Sequence, residues 1–211
     1  NIIKSTDKMK IGIQIGLAIV IIVVAYFIYK GIEKPIIFEK KKEIRYDAVV
    51  QKLKDIRKAQ LAFKDLNGEF AADFDTLISC LKTDSMPFIY AIGNVPDTLS
   101  ERQAVELGLV TRDTTRIALV DTVFKAGYCI DSLGYIPFTN EKFEMGSGEI
   151  VTASKVKVKV FEASALYSVF LNGLDKQLII NLNDERRKNK LFPGLKVGSL
   201  TETTNNAGNW E

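Results

Sequence analysis

From Ile11 to Tyr29 the chain reads IGIQIGLAIVIIVVAYFIY, nineteen consecutive positions without a charged residue. An α-helix rises about 1.5 Å per residue, so the stretch spans roughly 28 Å, close to the hydrocarbon thickness of a bilayer. So long an uncharged run is hard to cover inside a soluble chain of 211 residues. A cleavable signal peptide has a shorter apolar region and small residues at its end, whereas Tyr26, Phe27 and Tyr29 close this one as interfacial aromatics do. The expectation is a retained transmembrane helix over 11–29, with the lipid bilayer as its first partner and residues 1–10 as a short polar tail.

The chain beyond the helix is long enough for one extramembrane domain of ordinary size, expected over 39–200. The net charge of +3 is small and both signs are interspersed. A nucleic-acid surface needs a clustered basic face, so nucleic acid is not an expected partner. Histidine is absent, which removes the commonest general base and the commonest metal ligand. Phosphate-loop and dinucleotide glycine signatures are also missing. Ser79 and Lys82 have the SxxK spacing, but no SDN or KTG element accompanies them. Asp73, Asp75 and Asp84 lack calcium-loop spacing, and Asp73 reads as a helix N-cap. Cys80 and Cys129 fit neither a zinc spacing nor a CxxC pair; they either form one disulfide in an oxidising compartment or are ordinary small buried residues. We therefore assign no catalytic residue, metal site, cofactor or small-molecule substrate.

Orientation rests on charge. Lys4, Lys8 and Lys10 precede the apolar run; Lys30, Lys34, Lys40, Lys41, Lys42 and Arg45 come after it. A bare count places the domain in the cytoplasm. However, Glu33, Glu39 and Glu43 interleave the second group, and a long domain is translocated largely regardless of charge. The expectation adopted is single-pass insertion in the inner (cell) membrane with a periplasmic or otherwise extracytoplasmic domain.

Within the apolar run Gly12 and Gly16 form GxxxG, either a flat strip for a second helix or the ordinary glycine frequency of membrane helices. Gln14 is either a hydrogen-bonding handle for a partner helix or a residue at headgroup level. Gly31 and Pro35 predict a hinge over 30–38, since proline removes a helical hydrogen bond. Then Tyr46, Val49, Leu53, Ile56, Gln60 and Phe63 recur every three or four residues, the stripe of an amphipathic helix. Lys52, Lys54, Asp55, Arg57, Lys58, Lys64 and Asp65 fill the other faces. The stripe either packs on the molecule's own sheet or forms a short coiled coil, and packing is the expectation for a stripe this short. Asn67-Gly68 ends the helix with a left-handed cap.

The succession of a membrane helix, Ile56-Arg57-Lys58-Ala59-Gln60-Leu61-Ala62-Phe63, then Asn67-Gly68-Glu69-Phe70 and a short helix through Phe74, Leu77, Ile78 and Leu81 resembles the N-terminal third of type IV pilins and pseudopilins. The resemblance covers Ile11 to Lys82. Pilins begin their hydrophobic segment at the mature N-terminus and carry a glutamate at its fifth position; here a polar segment precedes it and it holds no acidic residue. The resemblance thus implies a pilin-like α+β fold on a permanent anchor, an amphipathic helix packed on a mainly antiparallel β-rich domain.

Downstream, strands are predicted at Phe88–Ile92, Thr115–Val120, Gly134–Phe138, Phe143–Met145 and Ile150–Thr152, with a capped helix over Ser100–Leu107. In Lys155–Phe161 strict alternation assigns Val156, Val158 and Val160 to the core and the lysines to solvent. Leu178–Leu182 is either one strand of a hairpin with Leu191–Val197 or a helix. The polar tail over 201–211 is either disordered or docks Trp210 in a groove, on itself or on a partner. The functional expectation is a non-enzymatic structural or accessory subunit of a membrane complex for secretion, transport or motility, with other membrane-protein subunits as partners; the alternatives are a pseudopilin-like filament subunit and a membrane-anchored enzyme.

Overall fold

The computed structural model describes the backbone of residues 2–93, 110–125, 127–152 and 154–211, and the side chains of 14–85, 116–125, 127–152 and 154–211. Helix α1 runs from Ile2 to Asn67, 66 residues and about 100 Å of continuous helix. The expected interruption at 30–38 is corrected: Pro35 lies inside the helix. Its ring crowds the carbonyl four residues back, which belongs to Gly31, and open space around Gly31 leaves that backbone room to adjust. The polar residues before Ile11 belong to the same helix from Ile2 onward. At the far end Gly68 takes φ +73° and its N–H donates to the Lys64 carbonyl at 2.7 Å, the left-handed stop that Asn67-Gly68 announces.

Helix α2 covers Phe74–Thr83, capped by Asp73, whose carboxylate accepts from the Thr76 N–H at 2.7 Å. Strands β1 (Ser85–Gly93) and β2 (Val110–Ala118) pair antiparallel in a separate two-stranded ribbon. The chain then turns into the short helix α3, Leu119–Val123, so the predicted strand over 115–120 ends two residues early. The helix expected at Ser100–Leu107 lies outside the described residues.

The second sheet is β3-β4-β5, all antiparallel: β3 Glu144–Val151, β4 Lys157–Leu166 and β5 Gly194–Gly198. Helix α4 (Tyr167–Phe170) and helix α5 (Lys176–Lys188) connect β4 to β5. Leu178 and Leu182 are thus helical. The predicted strand at 134–138 is instead a loop holding one bridge, Tyr135 to Lys142, and Ile130–Ser132 form a single 3-10 turn before it. The result is mixed helix and sheet, an α+β domain built on the second half of α1.

Alternation misassigned the faces of β4. Phe161, Ala163 and Ala165 are buried in the main core, in phase with Lys157 and Lys159. Val156 is exposed, and Val158 and Val160 lie on the opposite face. There the chain after β5 returns over the sheet, with Leu200 against Gly146 and Gly148 of β3. The strand is central, covered on both faces over its second half, so its lysines mark the open end and not a whole solvated face. Gly198 closes β5 with φ +72° and sits so near the Phe161 carbonyl that any side chain would collide with it.

Candidate functional site

Two halves of one helix meet different surroundings. Over its N-terminal half α1 is long and apolar enough to cross a membrane, and none of that window is buried in the protein. The exposed side chains include Ile15, Leu17, Ile21, Ile22 and Phe27, with Ile22 at 68% and Phe27 at 69% of full exposure. Apolar surface on this scale is not stable in water and marks a lipid- or protein-binding face. Ten Ile, Leu, Val and Phe residues lie between Gln14 and Tyr29, which favours insertion by about 3–6 kcal/mol. The segment is a candidate membrane span. Gln14 is exposed on it and Gly16 has open space around its Cα. Gly12 is helical, one turn from Gly16, and its surroundings lie outside the described side chains.

The exposed apolar surface does not end at Tyr29. Ile32, Ile36 and Ile37 continue it at 58%, 61% and 45% exposure, interleaved with the Lys30–Glu33 pair and with Lys34. Among the described side chains Phe38 is the first buried one along α1, and from there the helix belongs to the domain.

In that second half Val49, Leu53, Ile56, Gln60 and Phe63 are buried and Tyr46 is half-buried, packed against the domain's own core. Gln60 is fully enclosed. Its amide donates to the Ala71 carbonyl and accepts from the Ala71 N–H, each at 2.9 Å, so it acts as a backbone partner for the turn after α1. Arg45 donates to the carbonyls of Phe170 and Asn172 at 2.9 and 2.8 Å and ties α4 to the helix. The buried face is also wider than the stripe, because Asp55 and Lys52 do not lie in solvent. Asp55 is 8% exposed and accepts from Tyr128 Oη and Gln51 Nε2, both at 3.2 Å. Lys52 Nζ donates to Ser132 Oγ at 2.9 Å, to the Ser132 carbonyl at 3.1 Å and to Tyr128 Oη at 3.2 Å.

Burial, with Asp55 beside it, raises the Tyr128 phenol well above its ordinary range; burial lowers the Lys52 ammonium. The Phe124 ring stacks on Tyr128 at 4.2 Å. The cluster clamps the loop after α3 onto α1. Periodicity could not reveal it, since its partners stand 73 to 80 residues away in sequence.

The remaining candidates are dispersed. Lys82 pairs with Asp131 at 2.6 Å, and Ser79 lies on the exposed side of α2 with its carbonyl accepting from Thr83. Cys80 and Cys129 are both free thiols. Cys80 is buried and donates to Asp84 at 3.0 Å; burial, aided by that carboxylate, pushes its pKa up to about 11, the opposite of an activated nucleophile. Among the described residues no three His, Cys, Asp or Glu side chains converge. The tail is tied down: Gly208 bridges to Val197, Asn209 bonds the Lys196 N–H and the Gly194 carbonyl, and Glu211 pairs with Arg57 at 2.7 Å. Trp210 packs against the core, half-buried, with its indole N–H unpartnered. No protein-family model, curated protein or solved structure matches the chain.

Proposed function

We propose that this chain is a single-pass inner-membrane protein whose α+β domain, on the extracytoplasmic side, serves as a non-enzymatic structural or accessory subunit of a larger membrane-associated assembly. The observation that carries the reading is the unbroken α1, exposed and apolar in one half and buried in the domain core in the other. Such a helix couples the position of the domain rigidly to the membrane, which suits a scaffold better than a tethered enzyme needing freedom to reach substrate. Lys82 pairs with Asp131, Cys80 donates to Asp84 and Lys52 donates to Ser132, so each is engaged in holding the fold, which suits a structural role. Purification of the tagged full-length protein from its native membrane in mild detergent, followed by a native gel and mass spectrometry, tests it. Stoichiometric recovery with unrelated membrane subunits is expected; a monomer, or the protein with only itself, overturns it.

A second reading is favoured by the same helix. An N-terminal apolar half continuous with a half packed on an antiparallel sheet suits a pilin-like subunit that assembles through its helices, with Gly12 and Gly16 at the contact. Filaments in electron micrographs of overexpressing membranes, lost on Gly16→Leu, would decide for this reading over the first.

A further inference from the structure

We infer that the membrane-proximal end of the domain carries a seat for the headgroup of an anionic glycerophospholipid. Where α1 leaves the candidate span, Lys34, Ile37, Phe38 and Lys41 lie on one face of the helix, at spacings of three, four and seven. Together with Gly173, Leu174 and Asp175 of the turn before α5 they line an open cavity of about 220 Å³. Phe38 is buried and Ile37 is partly exposed, so the cavity has an apolar floor and wall beneath two cationic side chains.

Charge and height select the occupant. In the collar Lys30 pairs with Glu33 and Lys42 with Glu39, but Lys34 and Lys41 form no ion pair among the described residues. Asp175, the one carboxylate in the lining, already accepts from the N–H groups of Gln177 and Leu178 as the cap of α5. The cavity is therefore net cationic. Lys34 stands five residues, about 7.5 Å, past Tyr29, within reach of the headgroup layer that flanks the hydrocarbon. Lys41 stands higher, but the exposed Ile32, Ile36 and Ile37 carry the apolar boundary upward toward it, and its long stem lets the ammonium reach down. A phosphate ester between two ammonium groups, with the glycerol and first methylenes against Ile37, satisfies both the charge and the apolar wall. The capped N-terminus of α5 has its first donors occupied and supplies none of this.

The inference rests on the membrane-span reading, and the experiment separates the two. The full-length protein is reconstituted into phosphatidylcholine vesicles with and without one-third phosphatidylglycerol, checked for insertion by alkaline carbonate extraction, and analysed by native mass spectrometry for retained lipid. The expected result is insertion in both vesicle types and enrichment of phosphatidylglycerol over its bulk share, falling roughly fivefold for each of Lys34→Gln and Lys41→Gln. Lys40→Gln, outside the cavity lining, is expected to retain it. Normal insertion with no enrichment, or equal loss in Lys40→Gln, overturns the seat and leaves the anchor standing. Displacement of the lipid by millimolar inorganic phosphate overturns it in favour of a free-phosphate site. Failure to insert in either vesicle overturns seat and anchor together.

Discussion

The N-terminal and C-terminal halves of α1 share one backbone and almost nothing else. Between Gln14 and Tyr29 every side chain is exposed and nearly all are apolar. Between Phe38 and Asn67 apolar and charged residues alternate at helical spacing, and the apolar stripe is buried while Ile44 and Leu61, off the stripe, stay exposed. The difference shows that helix formation is set by local hydrogen bonding in both halves, while the solvent each half requires is set by how its hydrophobicity is distributed around the axis. An all-round apolar helix needs lipid or protein on every side; a striped helix needs a core on one side and water on the other.

One substitution in each half breaks this contrast most sharply. Leu53→Ala removes a fully buried side chain and is expected to cost the domain about 2–5 kcal/mol, with membrane retention unchanged. Ile21→Arg is expected to weaken insertion by about 3 kcal/mol while the thermal melt of the domain stays in place. Circular dichroism melts and carbonate extraction of both variants check the pair.

Alkaline pH challenges the domain half. The Cys80 thiol in the fold titrates near 11 against an ordinary 9.0, so between those values the folded protein holds a proton that the unfolded chain has released. Stability from this group is complete below pH 9.0 and is lost as pH rises through about 11, amounting to about 2–3 kcal/mol. Cys80→Ala is expected to flatten that part of a denaturant-midpoint profile relative to the wild type. Raised Tyr128 steepens the limb above its ordinary value of 10.0 and lowered Lys52 opposes it, so the difference between the two proteins isolates Cys80.

Smaller effects refine the domain half. Gln60→Leu leaves the Ala71 N–H and carbonyl buried without partners and is expected to cost about 1–3 kcal/mol by urea unfolding. Arg57→Ala breaks a part-exposed pair with Glu211, and a double-mutant cycle with Glu211→Ala is expected to return the smallest coupling of the set, fading in high salt.

Features set by local pattern were legible in the sequence: the apolar run, the stripe from Tyr46 to Phe63, the Asp73 cap and the Gly68 stop. Those set by distant partners were not. Asp55 and Lys52 read as surface charges because nothing near them announces Tyr128 and Ser132. The valines of β4 read as the core face because alternation reports that two faces differ, and not which one meets α1; the return of the chain around Leu200 makes both faces partly buried. Pro35 read as a break because its own cost is local, whereas the helices on either side carry the ladder past it. In the candidate site, the span and the basic collar were visible, but the cavity at Lys34 and Lys41 required the turn at Gly173–Asp175, more than 130 residues away.

Ile22 and Ile44 offer the most direct test, because both are exposed isoleucines of α1, one in each half. Nitroxide labels at Ile22→Cys and Ile44→Cys, in a Cys129→Ser background and lipid nanodiscs, report collision with oxygen, which concentrates in lipid, and with a water-soluble nickel chelate. Oxygen is expected to dominate at position 22 and nickel at position 44. Equal nickel access at both positions would contradict the membrane reading, placing the two halves in the same aqueous surroundings.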